Sequence, residues 1–240
     1  MALSENPNRA EIEQLIEHGD LEGLLKKTGE LHGHYCPYLG YGVKAGYIAM
    51  QELGIKSKGM EEVIAIVETN NCFSDGIQMI TGCTFGNNAL IYKDYGKNAV
   101  TVAKRDGTAI RLVVDSDFEE SRGNEYPLAD ELFNKIVIRR EPASEEEYGK
   151  MRQLFKEMSF DALALPKDQL FKIEYKKISV PEYAPIVASV QCSVCKEKVM
   201  ETRARIKDGE PVCIQCAGDE YYIMDGKGIT TAKDANKKDL

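Results

Sequence analysis

Residues 99–114 read AVTVAKRDGTAIRLVV, two β-branched runs on either side of Asp106-Gly107. Asp-Gly between such runs is a strong hairpin signal, because the favoured two-residue turn needs positive φ at both central positions. Antiparallel pairing is therefore expected at the centre of the chain. Upstream, residues 62–68 (EVIAIVE) form a buried strand that stops at Thr69-Asn70-Asn71, and residues 89–93 form another short strand. Downstream, residues 145–158 carry acidic residues first and basic ones later, as a helix dipole favours, and residues 170–180 read as a last strand. Helices precede these strands. Ile12, Leu15, Ile16, Leu21, Leu24 and Leu25, spaced mostly by three or four, predict one amphipathic helix over residues 10–27. After a loop over residues 28–35, Pro37 suits the first turn of a helix that runs to about Leu53. Its Gly42, Ala45, Gly46 and Ala49 let another backbone come close. A shorter helix over residues 74–80 has Ser74 as its expected cap and Gly82 as its stop. The predicted class is α+β, a mixed or antiparallel sheet with helices in an N-terminal core, followed by a small C-terminal unit.

The chain has 240 residues and is 43% hydrophobic, enough to bury a sizeable core, which excludes general disorder. No apolar run approaches the roughly 18 residues of a membrane-spanning helix, and MALSENPNRAEIEQ lacks the layout of a secretory signal. A cytoplasmic protein without membrane contact is expected. The formal net charge of −8 disfavours nucleic acid as a partner. Seven cysteines, three histidines and no tryptophan point to metal sites before disulfides.

Those cysteines fall into two groups. Cys192-Ser-Val-Cys195 and Cys213-Ile-Gln-Cys216 have the spacing of a four-cysteine structural zinc site, in which each pair directs two thiolates to one side. Residues 199–206 and Asp208-Gly209 between them suit a small β-hairpin. Lys196, Lys198, Arg203, Arg205 and Lys207 are balanced by six acidic residues, which favours docking over phosphate binding. The expected division is an N-terminal helix over 1–28, a metal-binding α+β domain over 29–180, a linker over 181–190, a small C-terminal zinc ribbon over 191–224 and a flexible tail over 225–240.

The second group is mixed. Leu31-His32-Gly33-His34-Tyr35-Cys36-Pro37 places two imidazoles and a thiol at the entrance to a helix, where exposed N–H groups favour a thiolate. Cys72 lies three residues before Asp75, just past a strand, and Cys83 lies between glycine-bearing turns in TGCTFG. Taken singly, Cys72 or Cys83 reads equally well as a small buried hydrophobe, and His18 as a surface residue. Together, His32, His34, Cys36, Cys72 and Cys83 are the candidate ligands of a core site, with zinc or another transition metal and an open position. A thiol nucleophile with a histidine base is the competing chemistry.

At these residues the chain resembles the FmdE family of formylmethanofuran dehydrogenase subunits, in His32-Gly-His-Tyr-Cys-Pro37, Cys72-Phe-Ser-Asp75-Gly-Ile-Gln78 and Thr81-Gly-Cys83-Thr-Phe-Gly86. The resemblance implies an α+β core, a metal, usually zinc, held by histidine and cysteine with Asp75 in support, and a homodimer. It departs at Tyr38, where the family usually has glycine, and at Asn87, where a lysine is usual. The function it implies is a metal-binding accessory protein of a molybdenum or tungsten enzyme system, not an independent formylmethanofuran dehydrogenase. A metal-dependent enzyme acting on a small substrate is the alternative, and a zinc-ribbon regulator the weaker one.

Overall fold

The computed structural model describes residues 7–232. The chain divides into two compact units, Met1–Pro181 and Glu182–Leu240.

The first unit begins with two helices rather than one, α1 (Ala10–His18) and α2 (Leu21–His32). The periodicity runs through both, but Gly19 adopts φ 68° and closes α1, and the Asp20 carboxylate accepts from Gly23 N to start α2. His32 thereby ends a helix instead of lying in a loop. Next come α3 (Pro37–Leu53), β1 (Val63–Val67) and α4 (Cys72–Thr81). The cap of α4 is Asn71, whose side chain accepts from Phe73 N, so the helix starts earlier than expected and Cys72 is its first residue. Then follow β2 (Leu90–Tyr92), β3 (Ala99–Lys104) and β4 (Thr108–Val114). Helices α5 (Ser116–Glu125) and α6 (Pro127–Phe133) and a π-helical turn (Asn134–Ile138) lie where the sequence predicts no element. The unit ends with α7 (Glu145–Ala164), the single turn α8 (Lys167–Leu170) and β5 (Phe171–Lys177).

The sheet order is β2-β1-β3-β4-β5, and only the β1–β2 pair is parallel. The fold is thus the mixed, mainly antiparallel α+β arrangement expected, with the hairpin at Asp106-Gly107 joining β3 to β4. Val63, Ala65, Val67, Val100, Ile110 and Leu112 belong to one continuous core with Leu39, Val43 and Ile77 of α3 and α4.

Two contacts fix α3 among its neighbours. A Cβ on Gly42 would stand 2.1 Å from the Phe73 carbonyl oxygen, and one on Gly76 would stand 2.5 Å from Val43 N. Reciprocal glycines therefore let the first turns of α4 touch the backbone of α3. On another side, the buried ammonium of Lys44 donates to the carbonyls of Ala162 (3.1 Å), Leu163 (2.9 Å) and Leu165 at the end of α7. Burial draws this lysine down to about 8, against the pull of carbonyls at a helix C-terminus.

The second unit holds β6 (Ser189–Gln191) paired with β7 (Lys198–Met200), and β8 (Ala204–Lys207) paired with β9 (Glu210–Cys213). The single turn α9 (Ile214–Ala217) and a hairpin of β10 (Tyr221–Asp225) and β11 (Gly228–Ala232) follow. The expected flexible tail is therefore ordered as far as residue 232, because Asp225 to Gly228 makes a tight connection between strands; its remainder, 233–240, lies outside the described residues.

Candidate metal centre

Cys36 is the N-cap of α3 and Cys72 the first residue of α4, so the contact between Gly42 and Gly76 sets two thiols side by side at two helix N-termini. Gly33, at φ 87°, turns the chain back from α2, bringing the His32 and His34 rings to 4.3 Å between centroids. One ligand atom from each of His32, His34, Cys36 and Cys72 lies within 4.8 Å of the others. His32 Nδ1 is 2.7 Å from Asp75 Oδ2, while Gln78 Nε2 donates to Asp75 Oδ1 at 2.9 Å. With Nδ1–H on the carboxylate, Nε2 is the free lone pair, and it is buried without any hydrogen-bond partner. A buried orphan nitrogen beside two thiols and a second imidazole fits a zinc-type ion, and the carboxylate–histidine pair is the usual orienting support.

The electrostatics agree. The Cys36 thiol donates toward Cys72, and with His32 and His34 nearby this draws Cys72 down to about 5, while the same bond and burial push Cys36 well up. Burial opposes charging of His32, but Asp75 and the Cys72 thiolate outweigh it and raise its pKa. Cys36 thus keeps the proton that a cation entering the group would displace. Asp75→Asn is expected to weaken zinc affinity by about 10- to 100-fold, measured by competition with a chromophoric chelator. Unchanged affinity would deny Asp75 its orienting role.

Cys83 does not join them. It lies two residues beyond α4, and a ten-residue helix at 1.5 Å per residue sets it about 15 Å from Cys72. Its thiol is 1% exposed, donates to the Val63 carbonyl at 3.3 Å, and is pushed by burial to about 12. The expectation of a fifth core ligand is corrected accordingly: Cys83 is the small buried hydrophobe of the competing reading. Asn87, the departure from lysine, knits the same loop by accepting from Thr84 N and Ala89 N and donating to the Gly82 carbonyl.

A cavity of about 440 Å³ opens beside the centre. His34, Cys36 and Cys72 border it, and Tyr38, the departure from glycine, forms part of its wall. The remaining wall includes Tyr41, Arg122, Phe133, Phe155 and Met158. None of these was found by sequence reasoning: Arg122, Phe133, Phe155 and Met158 stand on helices remote in the chain, and Tyr41, on α3 itself, carries no spacing signal.

In the second unit, Cys192, Cys195, Cys213 and Cys216 also bring four donors within 4.8 Å. The Cys195 and Cys213 sulfurs are 4.0 Å apart, close to the edge of about 3.8 Å expected for a tetrahedron of 2.3 Å zinc–sulfur bonds. Cys213 N donates to Cys192 Sγ at 3.3 Å and Cys216 N to Cys213 Sγ at 3.4 Å. The backbone N–H groups of Cys213, Cys195 and Val194 draw the Cys192 thiol to about 6. This is a zinc-ribbon-like site, with Cys192 and Cys195 in the connection between β6 and β7, Cys213 at the end of β9 and Cys216 in α9.

A family model described as FmdE, molybdenum formylmethanofuran dehydrogenase operon, matches residues 31–172, more than half of the chain. The chain belongs to the FmdE family. A second model, the prokaryotic dksA/traR C4-type zinc finger, matches residues 185–222 and so spans the four ribbon cysteines. The FmdE fold is also that of a solved structure, a tungsten formylmethanofuran dehydrogenase FmdE-like protein from Syntrophus aciditrophicus. The two share a TM-score of 0.51 and 23% identity over 82% of this chain and 92% of that one. A probable S-adenosyl-L-methionine-binding protein of Archaeoglobus fulgidus is 40% identical over 223 residues, 91% of this chain. The chain spans 58% of the length of that relative. Over residues 31–172 the likeness is to an FmdE subunit-type protein, not to a complete dehydrogenase. Among the described residues, no helix is long and apolar enough to cross a membrane.

Proposed function

We propose that this chain is a cytoplasmic, homodimeric accessory protein of a molybdenum or tungsten enzyme system that carries two zinc ions, one in the His/Cys centre and one in the ribbon. The observation that supports it most is the buried His32 Nε2 left without a partner, aimed by Asp75 and grouped with His34, Cys36 and Cys72. The operon named by the family model supports the setting.

A second reading, a metal-dependent enzyme, is favoured by the cavity that borders three of the four donors. A bound zinc ion would supply Lewis acidity at its wall; the chain's own residues would hold and orient whatever enters. Metal analysis of the purified chain is expected to give about two zinc-type ions. The double variant His32→Ala with Cys36→Ala should retain one ion and native circular dichroism. Two ions in that variant, or one in the unaltered chain, would overturn the reading.

A further inference from the structure

The sheet has a second face, away from α3 and α4. Val67, Val100 and Leu112 share the core with those helices, so the alternate row Ile66, Thr101, Arg111 and Glu174, register partners across β1, β3, β4 and β5, lies on the opposite side. A cavity of about 430 Å³ is lined by that row. The connection between β2 and β3 closes one side of it. Lys93 N and Lys97 N donate to the Val67 and Glu68 carbonyls, each at 2.9 Å, which fixes both lysines at the cavity.

Four cations border this cavity against two carboxylates, Glu68 and Glu174. Glu68, 6% exposed, is held by Arg111 through Nε at 2.7 Å and Nη2 at 2.8 Å, and Glu174 pairs with Lys176 at 3.2 Å. Lys97 also stands near Glu68, but both oxygens of that carboxylate are already engaged. Asp94, in the same connection, does not line the cavity and accepts from the Tyr92 hydroxyl at 2.6 Å. Lys93 and Lys97 are exposed, and among the described residues neither ammonium has an ion pair or hydrogen bond. Two reachable cations are therefore left over, in a chain of net charge −8. Thr101 is 5% exposed, and its hydroxyl has no partner among the described residues.

A buried hydroxyl without a partner is costly, and paired ammoniums concentrate anions. The excess of two charges matches a phosphomonoester, which carries about −1.5 to −2 at neutral pH, better than it matches one carboxylate. Donor geometry selects the same group. The Arg111 fork, which suits a planar carboxylate, is spent on Glu68, and what remains are separate donors that suit three phosphoryl oxygens. The volume is that of a small-molecule site rather than of a bare ion, and Tyr95 and Ser179 add hydroxyls to its wall.

We infer that this face of the sheet binds a small phosphorylated molecule, its phosphoryl group on Lys93, Lys97 and Thr101 and a hydroxylated body along Tyr95 and Ser179. The site shares no residue with the metal centre, so either can fail without the other.

Calorimetry on the full chain at about 50 mM salt, where surface charges are little screened, tests this with ribose 5-phosphate, ribose, inorganic phosphate and succinate as probes. Ribose 5-phosphate should bind at least about ten-fold more tightly than ribose or succinate. The double variant Lys93→Gln with Lys97→Gln, at two exposed positions, should weaken it at least about ten-fold, and Thr101→Val by about five- to ten-fold. Lys150→Gln, at an exposed lysine of α7, should change it by less than about two-fold. Succinate binding as tightly, an equal loss in Lys150→Gln and in the double variant, or no binding of ribose 5-phosphate at about 10 mM would overturn the assignment. Inorganic phosphate binding as tightly as ribose 5-phosphate would overturn the hydroxylated body and confine the ligand to the free ion.

Discussion

Cys213→Ser is expected to unfold the region around the four cysteines while the first unit keeps its fold. Among the described residues from 182 onward, Cys192 and Val212 are the only buried hydrophobic side chains. Two side chains at roughly 1.5–3 kcal/mol each cannot offset the entropy of ordering some forty residues. A structural zinc site contributes on the order of 10 kcal/mol to such a fold, and three thiolates without the fourth keep only part of it. Amide resonances of residues 189–217 should collapse to the narrow dispersion of an unfolded chain, as they should for the unaltered protein in excess chelator. Retained dispersion in both cases would mean that the ribbon stands without metal.

Gly42→Ala is expected to destabilise the first unit by about 1–3 kcal/mol or more, and to lower metal occupancy of the core centre with it. The added methyl would meet the Phe73 carbonyl oxygen at 2.1 Å, a backbone atom that cannot rotate away. Helix α4 would have to retreat on the order of 1 Å, since packed interiors leave no slack. That movement separates Cys72 from Cys36, which are held at the two helix N-termini. Urea unfolding read with metal analysis checks both effects. Gly149→Ala, where a Cβ meets nothing within 4 Å, is the matched control. Equal behaviour of the two variants would show that close approach of α3 and α4 does not build the centre.

The strands of the five-stranded sheet and the paired cysteines of the ribbon were legible because their signals are local. β-branched runs around Asp106-Gly107 and two C-x2-C turns each concern fewer than about ten neighbouring positions. The break at Gly19-Asp20 was legible too, as a C-terminal glycine followed by a capping residue, but continuous hydrophobic periodicity masked it. Helices α5 and α6 gave little to read. The first has no apolar face, and the second is one short stretch begun by Pro127.

Membership of the core site divides in the same manner. The structure brings together His32, His34, Cys36 and Cys72, which the sequence offered by type and position, whereas Cys83 was grouped with them because its flanking glycines permit close approach of a ligand and its motif belongs to the family pattern. Only the length of α4 shows that one end of that helix holds Cys72 and the other leads away to Cys83.

Donor chemistry was thus determined by the sequence itself: which residue types are present, at which spacings, and hence that two sets of metal-binding groups exist. The tertiary structure decided which donors meet, that Asp75 leaves His32 Nε2 free, and that Arg122 borders a cavity beside them. The reason is physical. A side chain's chemistry travels with the residue, but proximity between residues 36, 72 and 122 depends on helix packing, and in the contact of α3 with α4 it turns on two absent methyl groups at Gly42 and Gly76.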